Sequence, residues 1–129
     1  MLAYVRIENF LNVEFCEMDF HHAFTVITGE SGVGKSVLFS AIEYCLGKKT
    51  TTDIIRAGID VCKIECVFSF TNPMKKLKLH CDESNQILVS SIFYRNKASV
   101  LKINGACVTL KQSKEIFDLF VTIVSQLFH

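Results

Sequence analysis

Gly29, Gly34, Lys35 and Ser36 stand in the order G-x-x-x-x-G-K-S, with a further glycine, Gly32, inside the span. Glycines let successive backbone N–H groups curl around phosphate oxygens, and a helix beginning near Lys35 adds the positive end of its dipole. Lys35 then reaches the β- and γ-phosphates of a nucleoside triphosphate, while the Ser36 hydroxyl serves as a ligand for Mg2+. On this reading Gly29, Glu30, Ser31, Gly32, Val33, Gly34, Lys35 and Ser36 bind ATP together with Mg2+.

Hydrolysis asks for more: a carboxylate that holds Mg2+ and a group that orients water. The best candidate in the chain is Leu77-Lys78-Leu79-His80-Cys81-Asp82-Glu83, an apolar run ending in two acids. Lys78 and His80 interrupt it, and that alternation suits a half-exposed antiparallel strand instead of a doubly buried one. Asp82 and Glu83 therefore read either as the solvated end of a hairpin or as a Mg2+ site. Two further readings stay open beside a half-site for ATP. One is a complete small P-loop NTPase or kinase using Asp82 and Glu83. The other is a non-catalytic interaction module with a vestigial loop.

The motif needs a strand before it and a helix after it. Phe24-Thr25-Val26-Ile27-Thr28 is short, apolar and β-branched, and predicts a strand buried on both faces. From Lys35 to Leu46 the residues Leu38, Ala41, Ile42, Cys45 and Leu46 recur at helical spacing, and Gly47 stops the helix. Thr52 or Asp53 caps a short helix carrying Ile54, Ile55 and Arg56, closed by Gly58. Before the motif, Tyr4–Asn9 and Val13–Phe20 alternate as strands. After it, Val61–Phe70, Leu77–Cys81, Ile87–Tyr94 and Ser99–Ile103 do the same, and Asn104-Gly105 marks a hairpin. A last helix runs from about Leu110 to Phe120. The expected fold class is α/β: a P-loop strand and helix beside an antiparallel β meander.

Composition bounds the rest. The 129 residues allow one domain, spanning 1–129, and half of them are hydrophobic, which supports a sizeable core. A net charge of +1 excludes a strongly basic domain that grips nucleic acid by bulk electrostatics. Mean hydropathy of +0.32 points to apolar surface meant to be covered. The six cysteines are scattered, mostly in apolar segments, and read as buried free thiols. The four histidines form no ligand set. Met1–Arg6 lacks the pattern of a signal peptide, and no apolar stretch reaches bilayer length, so a reduced cytoplasmic protein is expected, without a membrane partner.

The order of these segments resembles the start of the RecN family, SMC-like ATPases of bacterial DNA repair. The resemblance rests on Met1–Phe10, on Phe24–Ser36 with its Gly-Glu-Ser-Gly loop, on Asp53-Ile54-Ile55-Arg56-Ala57-Gly58, and on Ile103-Asn104-Gly105 with Val108 and Leu110. It runs from residue 1 to about 126 and implies the N-terminal lobe of an ABC/SMC-type head. It also implies that a coiled coil, the ABC signature, Walker B and the catalytic Glu lie in a complementary C-terminal half, with a second head as dimer partner. DNA would be bound only by the assembled protein, in the cytoplasm and at the nucleoid. Gln126 falls at the Q-loop, which in ABC-type heads senses Mg2+ and the γ-phosphate. The chain reads Val124-Ser125-Gln126-Leu127 where the family carries His-Gly-Gln-His, so Gln126 reads either as that sensor or as a plain polar strand end. Arg56 reads either as a surface charge or, by the resemblance, as a residue near nucleotide or DNA. Arg95 and Lys97 read as a charged hairpin turn.

Overall fold

The computed structural model describes residues 2–20, 27–29, 35–49 and 51–120. Its strands are β1 (Leu2–Phe10), β2 (Val13–Asp19), β3 (Ile27–Gly29), β4 (Val61–Ser69), β5 (Gln86–Tyr94), β6 (Val100–Ile103) and β7 (Ala106–Cys107). They form one seven-stranded sheet in the order β3-β2-β1-β4-β5-β6-β7, and every neighbouring pair is antiparallel. The helices are α1 (Lys35–Cys45), the single turn α2 (Lys75–Lys78) and α3 (Leu110–Asp118), with a 3-10 turn over Thr52–Ile54.

Side-chain alternation decides which face of the sheet is buried. Val5 and Ile7 of β1 lie opposite Cys66 and Ile64 of β4, which in turn lie opposite Val89 and Ser91 of β5. All of these are buried, because successive residues of a strand point to opposite faces. The other face carries Arg6, Glu8, Lys63 and Glu65, with Arg6 paired to Glu8 at 2.6 Å and Lys63 to Glu65 at 3.5 Å.

α1 lies across the buried face. Leu38, Ala41, Ile42 and Cys45 fall at i, i+3, i+4 and i+7, and all are buried. The Cys45 thiol donates to the carbonyls of Ile64 and Val89, and Ser91 Oγ donates to the Cys45 carbonyl at 3.0 Å. The helix ends in a Schellman motif. Lys48 N–H bonds the Glu43 carbonyl and Gly47 N–H the Tyr44 carbonyl, with Gly47 at φ +104°. α3 opens with a capping box between Thr109 and Gln112. Beyond it Phe120 packs its ring 5.2 Å from Phe68 and 5.4 Å from Phe70.

Two expectations are corrected. Leu77–Cys81 is not a strand: Lys78 N–H bonds Met74 O and Leu79 N–H bonds Lys75 O, closing a helical turn. Leu77 is buried and Leu79 is 83% exposed, so the apolar pattern there has period four, not two. Of the strand expected over Phe24–Thr28, residues 24–26 lie outside the described residues, and Ile27–Gly29 pair with β2. Of the six cysteines, Cys16, Cys45, Cys62 and Cys66 are buried, Cys81 is half-buried and Cys107 is exposed.

Candidate functional site

The glycine-rich motif spans the passage from β3 to α1. Gly29 closes β3 opposite Cys16, and Lys35 is the first residue of α1. Ser36 stands exposed in the first helical turn, which contains no acidic residue. The positive end of α1 is thus presented without a carboxylate of its own turn to neutralise it. Glu30, Ser31, Gly32, Val33 and Gly34 lie outside the described residues, as does Gln126.

Arg56 sits in a segment that is tied down on several sides. Leu11 N–H donates to Ile54 O at 2.7 Å and Arg56 N–H donates to Asn9 O at 2.9 Å, joining the segment to the β1–β2 turn. Asn9 and Leu11 adopt φ of 56° and 53° there, a strained left-handed conformation for a leucine. Ile59 N–H bonds Arg56 O across a turn in which Gly58 takes φ +80°, the conformation a type II turn demands. The Arg56 guanidinium lies 3.8 Å from Glu14, with the two side chains 34% and 67% exposed, so this pair is loose.

Arg95 differs from its sequence reading. Its guanidinium does not wave from a hairpin turn. Nε donates to Ile59 O at 3.0 Å, and Nη2 donates to Arg56 O at 3.4 Å and Ile55 O at 3.5 Å. No local pattern announces this, since its partners lie 36 to 40 residues earlier in the chain. Lys97 Nζ sits 4.2 Å over the Tyr94 ring.

Asp82 is engaged in its own loop. Its Oδ1 accepts from Ser84 N–H at 2.8 Å and Gln86 N–H at 2.9 Å. Glu83 is exposed beside it. Among the described residues no group of three or more His, Cys, Asp or Glu side chains is placed to hold a metal ion. The thiols beneath α1 are held protonated: burial pushes Cys62 up to about 12, and hydrogen bonding to Cys45 with burial holds Cys66 well above the ordinary thiol range. Among the described residues no helix is long and apolar enough to cross a membrane.

Comparison with known proteins places this geometry. Residues 1–125 match the model of the RecF/RecN/SMC N terminal domain. The chain is 29% identical to the DNA repair protein RecN of Vibrio cholerae over all of its own length and 24% of that protein's. It is 31% identical to RecN of Rickettsia prowazekii over 90% of itself and 21% of the relative. The chain therefore spans about a quarter of the curated relatives it matches. Among solved structures, a chain from work on ATP-driven dimerization and DNA stimulated activation of SMC ATPases superimposes with a TM-score of 0.69. That match covers 93% of this chain and 79% of the other at 20% identity. The SMC head domain from Thermotoga maritima superimposes at 0.58, covering 88% of this chain and 41% of that one, also at 20% identity. These structures share the fold, a mixed α/β lobe of an ABC/SMC-type head. With the family model covering residues 1–125 of 129, the chain belongs to the RecF/RecN/SMC N-terminal domain family.

Proposed function

We propose that residues 1–129 form the ATP-binding N-terminal lobe of a RecN-like ATPase acting in DNA double-strand-break repair and recombination. The observation that carries this reading is the placement of one motif: Gly29 ends a strand and Lys35 opens a helix, with residues 30–34 between them. In this reading the backbone of Gly29, Glu30, Ser31, Gly32, Val33 and Gly34 cradles the phosphates, and Lys35 neutralises the β- and γ-oxygens. The exposed Ser36 hydroxyl, in a first turn free of acids, fits a ligand of nucleotide-bound Mg2+. Such an ion supplies charge neutralisation on the transferred phosphoryl group. Gln126 is assigned to sensing Mg2+ and the γ-phosphate, and Arg56 to a position near nucleotide or DNA.

The partners follow from the relatives' length. A complementary half of the head supplies what this lobe lacks, and the β3 edge, which has a strand neighbour on one side only among the described residues, suits its attachment. A second head completes a dimer, and DNA is engaged by the assembled, cytoplasmic protein. The ATP-driven dimerization and DNA stimulation of the SMC ATPases that share this fold support both. A self-contained small kinase is less well supported, because both amide bonds to Asp82 tie its carboxylate to its own loop.

Calorimetric titration of the chain with ATP and Mg2+ tests the reading. Binding is expected, and Lys35→Ala is expected to abolish it with an unchanged circular dichroism spectrum. Equal affinity in the Lys35→Ala chain would overturn the assignment.

A further inference from the structure

We infer that Arg95 is a positioning residue whose guanidinium fixes the backbone from which Arg56 projects. The inference rests on the proposed role of Arg56 only for its functional consequence; the latch itself stands on geometry. Arg95 follows the last residue of β5, and its own N–H bonds Asp60 O at 3.0 Å, so both its backbone and its side chain engage the stretch entering β4. Its planar fork then reaches three backbone carbonyls, with the bond to Ile59 O at 3.0 Å the shortest and those to Arg56 O and Ile55 O longer. A guanidinium presents donors in one plane at fixed angles, which a lysine ammonium cannot reproduce.

The opposite side of the segment is held by the β1–β2 turn. There the left-handed Asn9 and Leu11 offer a carbonyl to Arg56 N–H and an amide to Ile54 O. Arg56 is thus gripped by its main chain from two directions, its N–H by Asn9 and its carbonyl by Ile59 N–H and Arg95. Its side chain is treated differently, resting on a mostly exposed Glu14 at 3.8 Å. A rigid backbone under a loosely paired cation lets the guanidinium trade Glu14 for another anion without ordering a loop first, which is the advantage of preorganisation. A residue kept only for stability would more simply be an apolar side chain at this half-buried position.

Amide hydrogen exchange on the intact chain tests the latch. In the unmodified chain, Arg95 Nε–H is expected to exchange at least about tenfold more slowly than in an unfolded peptide. Arg95→Met, which keeps the stem and removes the fork, is expected to speed exchange of the Arg56 and Ile59 amides by roughly tenfold, leaving Cys66 and Val89 in the β4–β5 ladder unchanged. Arg95→Lys is expected to recover part of the protection. Free exchange at Arg95 Nε–H, no change at Arg56 and Ile59, or an equal rise at Cys66 and Val89 would each overturn the inference. The Nε–H measurement decides it even if Arg95→Met does not fold.

ATP affinity then separates the latch from the role of Arg56. Arg56→Ala and Arg95→Met are expected to weaken binding non-additively, the double variant being no weaker than Arg56→Ala. Losses that multiply would show Arg95 acting independently of Arg56 and overturn the positioning role. A silent Arg56→Ala would remove Arg56 from the nucleotide site, while the exchange data still decide whether Arg95 fixes its backbone.

Discussion

The carboxylate of Asp82 accepts the amides of Ser84 and Gln86, so its charge is spent on the loop that enters β5. Asp82→Ala is expected to cost about 1 kcal/mol of stability, because two loop amides lose their acceptor. Asp82→Asn keeps the side-chain oxygen and is expected to be close to neutral. Urea unfolding checks the first, and ATP calorimetry on both variants should match the unmodified chain; a changed affinity would return Asp82 to the list of Mg2+ ligands. Single residues differ in how well the sequence announces them. Ser36 is singled out by neighbours at fixed spacing, and it lies exposed in the first turn of α1; its part in Mg2+ binding is the proposal that Lys35→Ala titration tests. Arg95 was not, since its three carbonyl partners become neighbours only when β5 is laid beside β4. Ser113 shows the same limit: it stands on the core side of α3, 1% exposed, and satisfies its hydroxyl by donating to Leu110 O at 2.8 Å.

At the level of elements, local rules succeeded wherever a segment was long or its turn chemistry strict. α1 shows four buried residues at helical spacing, and Asn104-Gly105 takes φ of 50° and 85°, the two positive values a type I′ hairpin needs. Asn104 does more than turn: its Nδ2 donates to His80 O and its Oδ1 accepts Leu88 N–H, pinning the hairpin to β5 and to the loop after α2. Leu77–Cys81 failed because five residues carry too few repeats to separate period two from period four, and the helical bonds back to Met74 and Lys75 decided it. Two changes probe the elements directly. Phe120→Ala removes the ring that fills the space among Phe68, Phe70 and Phe117, and is expected to cost about 3–5 kcal/mol in urea unfolding. Gly58→Ala forces a β-carbon onto φ +80°, where nothing lies within 4 Å to clash, so its expected cost is the backbone term alone, about 1–2 kcal/mol. A loss as large as that of Phe120→Ala would mean the Arg56 turn is packed more tightly than its open surroundings indicate.

The whole molecule is a sheet whose buried face holds ionisable groups kept neutral. On that face burial raises Cys16 and takes Cys62 to about 12, and on the opposite face partial burial with a hydrogen bond and the charge of Glu17 takes Tyr4 to about 12 as well. A folded state that keeps protons the unfolded chain releases loses stability as pH rises. The contribution is complete below the ordinary thiol value of 9.0 and disappears as pH climbs towards about 12. The urea midpoint is therefore expected to stay level from about pH 7 to 8 and fall above about 9, with the fall reduced in a Cys62→Val variant. The same molecule also sets what it can do with ATP. Turnover needs a second Mg2+ ligand and a carboxylate near the attacking water. Of the two such carboxylates the sequence offers, Asp82 has its Oδ1 held by two amides of its own loop. The purified chain is therefore expected to bind ATP and release no phosphate above the rate of a Lys35→Ala control. Adding the remaining part of a RecN-like head is expected to raise that rate. Lys35-dependent turnover by the chain alone would mean that one lobe carries the complete reaction, and Glu83 would be the first carboxylate to replace.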